Sequence, residues 1–338
     1  MKKALAILLA AIMVMGLLAG CSGNEKAPES TAPESQAPTS SAPESSAPEA
    51  FKWPTSSIEV VNPAAAGGET DVYGRIFQRY MEAELGVTMP TVNMAGGGGT
   101  LATNEVASSA NDGSRALVFH NGYLINNLMG LSDLNLDNMC MAAVAVTDAT
   151  QIFFARADMP FNDLKEMVDY VKGGGAVNVA TEVGSFTHFQ LLMIQNAGDV
   201  TLDIVDAGTT SEKIAAMLAG DVDIMGANWA TMKDYVANGD VKPLCLLAEE
   251  RHPACPDVPT AKELGFDIQV VKFFFYAFPE GTDPELVEEF NAAAQRVAQN
   301  PDYIAEIEAL NASAPVLDVQ GTYDYMKDIM DTYSALLD

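Results

Sequence analysis

The chain has 338 residues, of which 49% are hydrophobic and 19% are charged. This apolar content is enough for a packed core, so disorder, collagen and coiled coil are excluded for the chain as a whole, and the length predicts about two domains. Asp and Glu (46) outnumber Lys and Arg (18), and the net charge of −28 would repel nucleic acid, so no nucleic-acid partner is expected. Three His and four Cys leave little material for metal clusters, and neither a metal nor a cofactor is predicted.

The first twenty residues have the pattern of an export signal. Two lysines precede an apolar run from Ala4 to Leu18, which has the length of a secretory h-region and is short for a bilayer span. The run ends in Leu17-Leu18-Ala19-Gly20-Cys21, which looks like a bacterial lipoprotein box. We therefore predict a signal peptide over residues 1–20 and a diacylglyceryl group on Cys21 that tethers the protein outside the cytoplasmic membrane. The alternative is an ordinary cleaved signal with a cysteine nearby.

A repetitive segment follows Cys21. Units related to Ala-Pro-Glu-Ser recur every five residues from Ala27 to Glu49. Proline in each unit excludes helix and sheet ladders, and the units lack apolar side chains to bury. Residues 21–54 are predicted to form a disordered stalk that holds the folded part away from a membrane surface.

From Ile58 onward, short apolar runs alternate with helical periodicity, which is typical of α/β layers with parallel strands. Asn162 is predicted to cap one helix, and Asp283 with Pro284 is predicted to open another. For the roughly 285 residues after the stalk, two α/β lobes are more economical than one large sheet. The predicted strands are Ile58–Asn62, Ala116–Phe119, Met141–Val146, Gln151–Ala155, Val177–Thr181, Val222–Met225, Pro243–Leu247 and Lys272–Ala277.

The first candidate binding turn joins the first predicted strand to a helix. Its residues, Pro63 to Asp71, are mostly small, and the helix is predicted to bury Val72. Small residues let a ligand approach the backbone, and the unpaired N–H groups of a first helical turn favour an anion. The alternative is a tight turn in which Thr70 or Asp71 only caps the helix, and the sequence leaves both readings open.

The second candidate turn is the glycine run Gly96–Gly99. Gly97-x-Gly99-x-x-Ala102 satisfies a relaxed dinucleotide fingerprint, but no acidic ribose partner follows and no Gly-Lys-Ser/Thr completes a phosphate-binding loop. Four consecutive glycines expose N–H groups at a cost in backbone entropy. The run therefore favours close approach of a ligand and predicts no nucleotide cofactor.

Two further turns join strands to helices. In the segment Thr181–His188, Ser185 and His188 suggest a hydrolase, but no glycine elbow surrounds the serine and no acid partner for the histidine is identifiable. A serine cap that offers Oγ and N–H groups to a carboxylate explains the same residues. The fourth turn, Ala207–Ser211, repeats the small-residue turn with a hydroxyl cap.

Three polar residues at strand ends are further candidates. His120 and Asn121 follow the strand Ala116–Phe119, and Asn228 follows Val222–Met225. We expect them to face the same cleft as the turns, although a role in a loop or in the core explains each of them as well.

The cysteines after position 21 lack metal-ligand spacing. They are Cys140, Cys245 and Cys255. A Cys245–Cys255 disulfide stays open in an oxidising compartment, and it would leave Cys140 without a partner.

Several motifs occur in one order along the chain. They are Pro63–Asp71, Asn93–Gly99, Asn111-Asp112-Gly113, Leu218–Asp223, Pro256–Thr260 with Glu263 and Gly265, and Phe278–Thr282. This series resembles the substrate-binding proteins of tripartite tricarboxylate transporters, also called Bug receptors. The similarity spans about residues 57–335, which is nearly the whole folded part.

The resemblance implies an α/β, two-lobed periplasmic-binding-protein fold, a Venus flytrap. Residues 55–155 plus 275–338 would form lobe one, and residues 156–274 would form lobe two. A small carboxylate would sit between the lobes, held by main-chain groups and waters rather than by arginines. The implied ligand contacts are Ala66, Gly67, Gly68, Thr70, Asp71, Gly97, Gly98, Thr181, Gly184, Ser185 and His188, to which the strand-end and fourth-turn candidates His120, Asn121, Ala207, Gly208, Thr209 and Asn228 are added.

One departure from the family bears on the ligand. Many members carry Tyr-Lys-Gly or a similar triplet where this chain has Ala207-Gly208-Thr209, so a ring and a positive charge are missing from one pocket wall. With Asp206 nearby, a less charged or zwitterionic solute becomes an alternative to a tricarboxylate.

The predicted function is an extracytoplasmic receptor, lipid-anchored through Cys21, and not an enzyme. It would bind a di- or tricarboxylate or an amino-acid-like carboxylate and deliver it to the large and small membrane permease subunits. Two alternatives remain, a ligand sensor that docks on a sensor kinase and a secreted hydrolase.

Overall fold

A computed structural model describes residues 51–335. The predicted signal peptide, the predicted lipidation site Cys21 and residues 21–50 of the predicted stalk lie outside the described residues. The last part of the predicted stalk is packed, because Trp53 is 4% exposed, donates from Nε1 to Gly113 O at 3.0 Å and lies against Phe278 and Phe290. No helix within residues 51–335 has the length and apolar character to span a membrane.

Strands and helices alternate along most of the described chain. The strands are β1 (Glu59–Asn62), β2 (Thr91–Asn93), β3 (Arg115–His120), β4 (Met139–Asp148), β5 (Gln151–Arg156), β6 (Asn178–Thr181), β7 (Asp203–Asp206), β8 (Ile224–Asn228), β9 (Val241–Leu246) and β10 (Lys272–Pro279). The α-helices are α1 (Glu69–Leu85), α2 (Thr100–Ala107), α3 (Gly122–Leu128), α4 (Leu164–Lys172), α5 (Phe186–Gly198), α6 (Thr210–Ala219), α7 (Trp229–Asn238), α8 (Pro284–Ala298), α9 (Pro301–Glu308) and α10 (Val319–Ala335).

The strands form two sheets of the same design. The order is β2-β1-β3-β10-β4 in the first sheet and β7-β6-β8-β5-β9 in the second. In each sheet the first three strands are parallel, and the next one, β10 or β5, is antiparallel to both of its neighbours. Because parallel strands end at one edge of a sheet, the turns after β1, β3, β6, β7 and β8 collect at the carboxyl edges, where α/β proteins bind ligands.

The central strands of each sheet are buried on both faces. Along β10, Phe274, Tyr276 and Phe278 pack on one side, and Phe273 and Phe275 pack on the other. This alternation follows from the two-residue period of a strand. Two-sided burial explains why the central strands read as continuous apolar runs.

All eight predicted strands are present, with end points that differ by a few residues. The edge strands β2 and β7 were not predicted. Two local predictions are wrong: Val72 is 38% exposed, because α1 is rotated so that Tyr73, Phe77 and Met81 face the core, and α4 is capped by Asp163 rather than by Asn162.

The chain passes between the sheets at two places. The first is the link from β4 to β5, and the second precedes β10. β5 pairs with β8 and β9, so residues 151–156 lie in the second sheet. The last described helix, α10, also contacts elements of both sheets. The ring centroid of Tyr333 lies 4.8 Å from that of Phe189 in α5, next to the second sheet, and the centroid of Tyr325 lies 5.5 Å from that of Phe273 in β10 of the first sheet.

Candidate functional site

A cavity of about 390 Å³ lies between the carboxyl edges of the two sheets. Two sets of residues line it, which we call the first wall and the second wall. The first wall comes from the first sheet and its turns, and it consists of residues 63–70, Ala95, Gly96, Gly98, Gly99, Phe119, His120, Gly122 and Lys272. The second wall consists of Glu182, residues 185–187 and residues 208–213, from the turns after β6 and β7 and the first turns of α5 and α6.

The first turn of the first wall presents a helix start without a side-chain cap. Gly68 is the N-cap residue of α1, and as a glycine it has no side chain to accept from the first helical N–H groups. The turn is closed by its own backbone, because Gly68 N donates to Ala65 O at 3.0 Å and Gly67 has a φ of +79°. Uncapped N–H groups and the helix dipole together favour an anion in the cavity.

Asp71 stiffens this turn from behind and does not line the cavity. Its carboxylate accepts from Gly67 N at 2.9 Å, from Arg75 Nε at 2.9 Å and from Asn93 Nδ2 at 2.9 Å. Burial raises the pKa of Asp71, but the hydrogen bonds from Arg75, Gly67 N and Asn93 outweigh it, so the net pKa lies below the usual value. The side chain holds the turn in place instead of reaching a ligand.

The glycine loop needs its glycines. All four residues from Gly96 to Gly99 have positive φ, and a Cβ on Gly99 would lie 2.3 Å from the Phe119 ring. Gly98 O accepts from Asn126 Nδ2 at 3.0 Å, which fixes the loop to α3. Gly99, the N-cap of α2, provides no side-chain cap either, but Thr100 N at the start of α2 donates to Gly97 O, so this helix start is partly satisfied by the glycine loop itself.

The second wall differs because both of its helices are capped by their own side chains. Ser185 Oγ accepts from His188 N at the start of α5. Thr209 and Glu212 form a reciprocal capping box at the start of α6. Some of the N–H groups that sequence analysis assigned to the ligand are therefore bonded within the protein.

The second wall also contains a buried lysine that sequence analysis missed. Lys213 is 5% exposed, and its Nζ donates to Thr187 Oγ1 at 3.3 Å. Thr187 Oγ1 also lies 2.9 Å from Thr181 Oγ1 and 3.0 Å from Ser185 Oγ. Burial, together with the nearby charge of Lys272, lowers the pKa of Lys213 to about 8. The available signal was its position one turn before the core residue Met217 on α6.

A second missed lysine belongs to a network that joins the two sheets. Lys272 of β10 forms an ion pair with Glu69 at the start of α1. Glu69 also accepts from Asn228 Nδ2 at 2.8 Å, and the same amide donates to Asp148 at 3.2 Å. Burial and the adjacent Glu69 charge raise the pKa of Asp148. Asn228 of the second sheet thus contacts Glu69 and Asp148, which belong to the first sheet and its turns, and it also caps α7. It lies outside the cavity lining.

The histidines are neutral hydrogen-bonding groups. His120 lines the cavity, and its Nδ1 accepts from Gly122 N at 2.9 Å. Burial lowers the pKa of His120, and the nearby positive charge of Lys272 lowers it further. The proton of this ring therefore resides on Nε2. His188 Nδ1 accepts from Gly184 N at 3.0 Å, so the ring is bonded to the backbone and not to the hydroxyl of Ser185. This geometry lacks the serine–histidine contact that the hydrolase alternative requires.

The structure brings about half of the predicted contacts to the cavity. Those that line it are Ala66, Gly67, Gly68, Thr70, Gly98, His120, Ser185, Gly208 and Thr209. Those outside its lining are Asp71, Gly97, Asn121, Thr181, Gly184, His188, Ala207 and Asn228. Asn121 is a core residue, whose side chain bonds Val271 O, Phe273 N and Tyr333.

Within residues 51–335 no group of three or more His, Cys, Asp or Glu is arranged to hold a metal ion. Cys140, Cys245 and Cys255 are free thiols, so the Cys245–Cys255 disulfide that the sequence left open is not formed. The chemistry that the cavity offers is hydrogen bonding and charge.

Comparison with known proteins agrees with this architecture. MatC from Rhodopseudomonas palustris, solved with bound malate, is 28% identical, with a TM-score of 0.77 over 84% of this chain and 100% of that one. The periplasmic binding protein BugD is 25% identical, with a TM-score of 0.75 over 83% of this chain and 96% of that one. BugT from Bordetella pertussis is 22% identical, over 84% of this chain and 89% of the relative.

The fold is therefore the two-lobed α/β fold of the periplasmic binding proteins, as predicted. The family model described as tripartite tricarboxylate transporter family receptor matches residues 74–337. The chain belongs to this family of receptors, whose members bind solutes outside the cytoplasm.

Proposed function

We propose that this chain captures a small carboxylate in the cavity between its lobes and delivers it to a membrane permease. The observation that carries the proposal is the start of α1, which has no side-chain cap and lines the cavity beside the glycine loop that leads into α2. A carboxylate can accept hydrogen bonds from several N–H groups at once, and the dipoles of both helices favour its negative charge. MatC, a relative of 28% identity, was solved with malate, which supports this ligand class.

The lobes are proposed to follow the sheets. Lobe one would contain residues 55–148 and the chain from 272 onward, and lobe two would contain residues 151–270, which moves β5 from the first lobe to the second. A ligand that touches both walls stabilises the closed arrangement, because only a ligand with differential affinity for two states shifts their equilibrium.

The remaining assignments extend the same proposal. The signal sequence and the box that ends at Cys21 support export and lipid anchoring at the cell membrane. Family membership supports large and small permease subunits as partners. The glycine turns, Ser185 and Thr209 would contact the ligand. The protein would bind this ligand without catalysing a reaction on it.

The proposal is tested by a substitution that places a carboxylate side chain where the carboxylate of the ligand would bind. Gly68→Asp puts a carboxylate at an N-cap position whose φ of −70° and ψ of 164° suit Asp, so the side chain competes for the N–H groups of α1. We expect wild-type protein to bind at least one member of a panel of mono-, di- and tricarboxylates and acidic amino acids, measured by titration calorimetry. Stabilisation should reach about 2.7 kcal/mol at a free ligand concentration 100 times Kd.

The matched control is Gly68→Ala, because both variants place a Cβ 3.1 Å from Ala65 O. Gly68→Asp should lose binding while Gly68→Ala keeps most of it. The proposal fails if wild-type protein binds no carboxylate of the panel, or if both variants bind as tightly as the wild type.

A further inference from the structure

Lys213 is a buried cation without a counter-ion. Of the buried lysines within residues 51–335, Lys272 is paired with Glu69, whereas Lys213 forms no ion pair with any described carboxylate. Among the residues that the structure describes, its one hydrogen bond goes to the neutral Thr187 hydroxyl, whereas an ammonium group has three N–H donors. A buried charge is costly unless it is paired, so the second wall is electrostatically incomplete without an anion.

The position of Lys213 separates it from the anion site of the first wall. The helix starts of the first wall belong to α1 and α2, and Lys213 lies on α6 across the cavity. A cavity of about 390 Å³ is large enough for a small acid that reaches both walls. One carboxylate on the first wall leaves Lys213 unpaired, whereas a second carboxylate at the other end of the solute pairs it.

We propose, on the basis of the proposed function, that Lys213 is the specificity-determining residue that accepts the second carboxylate of a dicarboxylate solute. Thr187 holds the ammonium group in position, and Thr210 and Ser211 line the same wall. This inference reverses the expectation that the second wall lacks a positive charge. The charge enters from the first turn of α6, a few residues after the triplet Ala207-Gly208-Thr209.

The acidic residues near Lys213 do not take the place of the ligand. Glu212 is held in the capping box with Thr209, and Glu69 is paired with Lys272. Within the described structure Glu182, Glu69 and Asp206 act on the ammonium group only from beyond ion-pair distance. A zwitterion that carries an ammonium group in place of the second carboxylate would bring a like charge towards Lys213. The geometry therefore favours a dianion over such a zwitterion.

The experiment compares acids that differ by one carboxylate. Succinate, glutarate and adipate are titrated beside butyrate, valerate and hexanoate, with 4-aminobutyrate as the zwitterion, at pH 7 in the calorimeter. We expect the preferred dicarboxylate to bind about 30-fold or more tightly than its monocarboxylate match, as for other buried charge pairs. In Lys213→Met this preference should fall to about threefold or less, because dicarboxylate affinity drops and monocarboxylate affinity stays.

Two further variants keep the result interpretable. Lys213→Arg retains the charge and should retain most of the preference. Lys233→Met removes the same charge from an exposed position on α7 and should leave both affinities unchanged. Cooperative melting of each variant shows that it is folded, and the loss of a buried ammonium group gives no reason for Lys213→Met to unfold.

The outcomes separate this inference from the proposed function. Equal wild-type affinity for matched mono- and dicarboxylates, or an equal loss of both in Lys213→Met, overturns the role of Lys213 and leaves carboxylate binding intact. Absence of binding by every acid refutes the proposed function, and this inference with it.

Discussion

The two walls of the cavity are built from the same kind of strand-to-helix turn, but they offer different chemistry. In the first wall, α1 and α2 begin at glycines that provide no side-chain cap, and the lining consists largely of turn backbone around Gly68 and Gly98. In the second wall, Ser185 and Thr209 cap α5 and α6, and the cavity meets hydroxyls and the ammonium group of Lys213.

The difference shows how one fold divides the recognition of an acid. Main-chain N–H groups are fixed in place by the turn and recognise the shape and charge of one carboxylate. Side chains can differ between relatives without rebuilding the backbone, so a wall that relies on them is suited to set the choice of solute. The first wall would then provide common affinity, and the second wall would provide specificity.

The largest expected effect comes from breaking the backbone of the first wall. Gly99→Ala combines a φ of +99° with a Cβ that would lie 2.3 Å from the Phe119 ring. Left-handed strain and overpacking together should lower the free energy of unfolding by about 4 kcal/mol. Urea denaturation measures this loss.

Gly174→Ala is the matched control for Gly99→Ala. Gly174 has a nearly equal φ of +93°, and no atom lies within 4 Å of its added Cβ. It should cost only the strain, about 1 kcal/mol. Equal losses at the two glycines would show that contact with Phe119 does not shape the loop.

The next effect tests the buried charge of the second wall through pH. The groups that act on Lys213 are Lys272, Glu182, Glu69 and Asp206, and with burial they place its pKa at about 8, below the ordinary 10.5. The unfolded chain then binds more protons between pH 8 and pH 10.5, so stability rises with pH across this window as the penalty for the buried charge disappears. The gain should be about 3 kcal/mol in the absence of ligand.

This pH dependence is measured as a difference from Lys213→Met, since tyrosines and other lysines titrate in the same range. The variant should be more stable than the wild type at pH 7 and should lose this advantage by pH 10.5. A difference that stays constant with pH would mean that Lys213 is not held as a destabilising charge.

Removal of the paired lysine should have the opposite sign. Lys272→Met leaves Glu69 in the cavity wall with Asn228 as a partner but without its ion pair. Because Glu69 is partly exposed, the cost should be about 2 kcal/mol, less than for a fully buried pair. Thermal unfolding without ligand shows whether Lys213→Met stabilises while Lys272→Met destabilises.

An exposed ion pair provides the control for Lys272→Met. Lys165→Met breaks the pair with Asp169, whose side chains are 60% and 61% exposed. The expected change is within about 0.5 kcal/mol. If the two lysine variants lost the same stability, the Glu69–Lys272 pair would contribute no more than a surface pair.

The sequence predicted the fold well because the signals were local. Buried strands read as apolar runs, and the caps Ser185, Thr209 and Asp283 stand directly before their helices. The strands β2 and β7 were missed because one has three residues and the other, Asp203–Asp206, is mostly exposed and begins and ends with Asp. Their pairing with β1 and β6 is a long-range property.

The candidate site was predicted less completely because side-chain direction depends on distant partners. Asn121 was correctly expected at a strand end, but Tyr333, 212 residues away, draws its amide into the core. Lys213 and Lys272 were missed as site residues because neither lies within a strand-to-helix turn. Both line the cavity only because the chain returns to the first sheet at β10. The glycine turns were found because their function depends on backbone, which the sequence specifies locally.

The smallest expected effect separates support of the first wall from contact with the ligand. Asp71→Asn removes the charge that accepts from Gly67 N and Arg75, and it should cost about 1.5 kcal/mol of stability at pH 7. Because the pKa of Asp71 is lowered in the folded protein, its contribution is present above about pH 4 and is lost as pH falls through the folded-state pKa. The stability difference from wild type should therefore be smaller at pH 2.5 than at pH 7. The affinity of Asp71→Asn for carboxylates should fall only a few-fold, because Asp71 lies behind the turn and outside the cavity lining. A loss of affinity as large as that in Gly68→Asp would mean that Asp71 acts on the ligand itself.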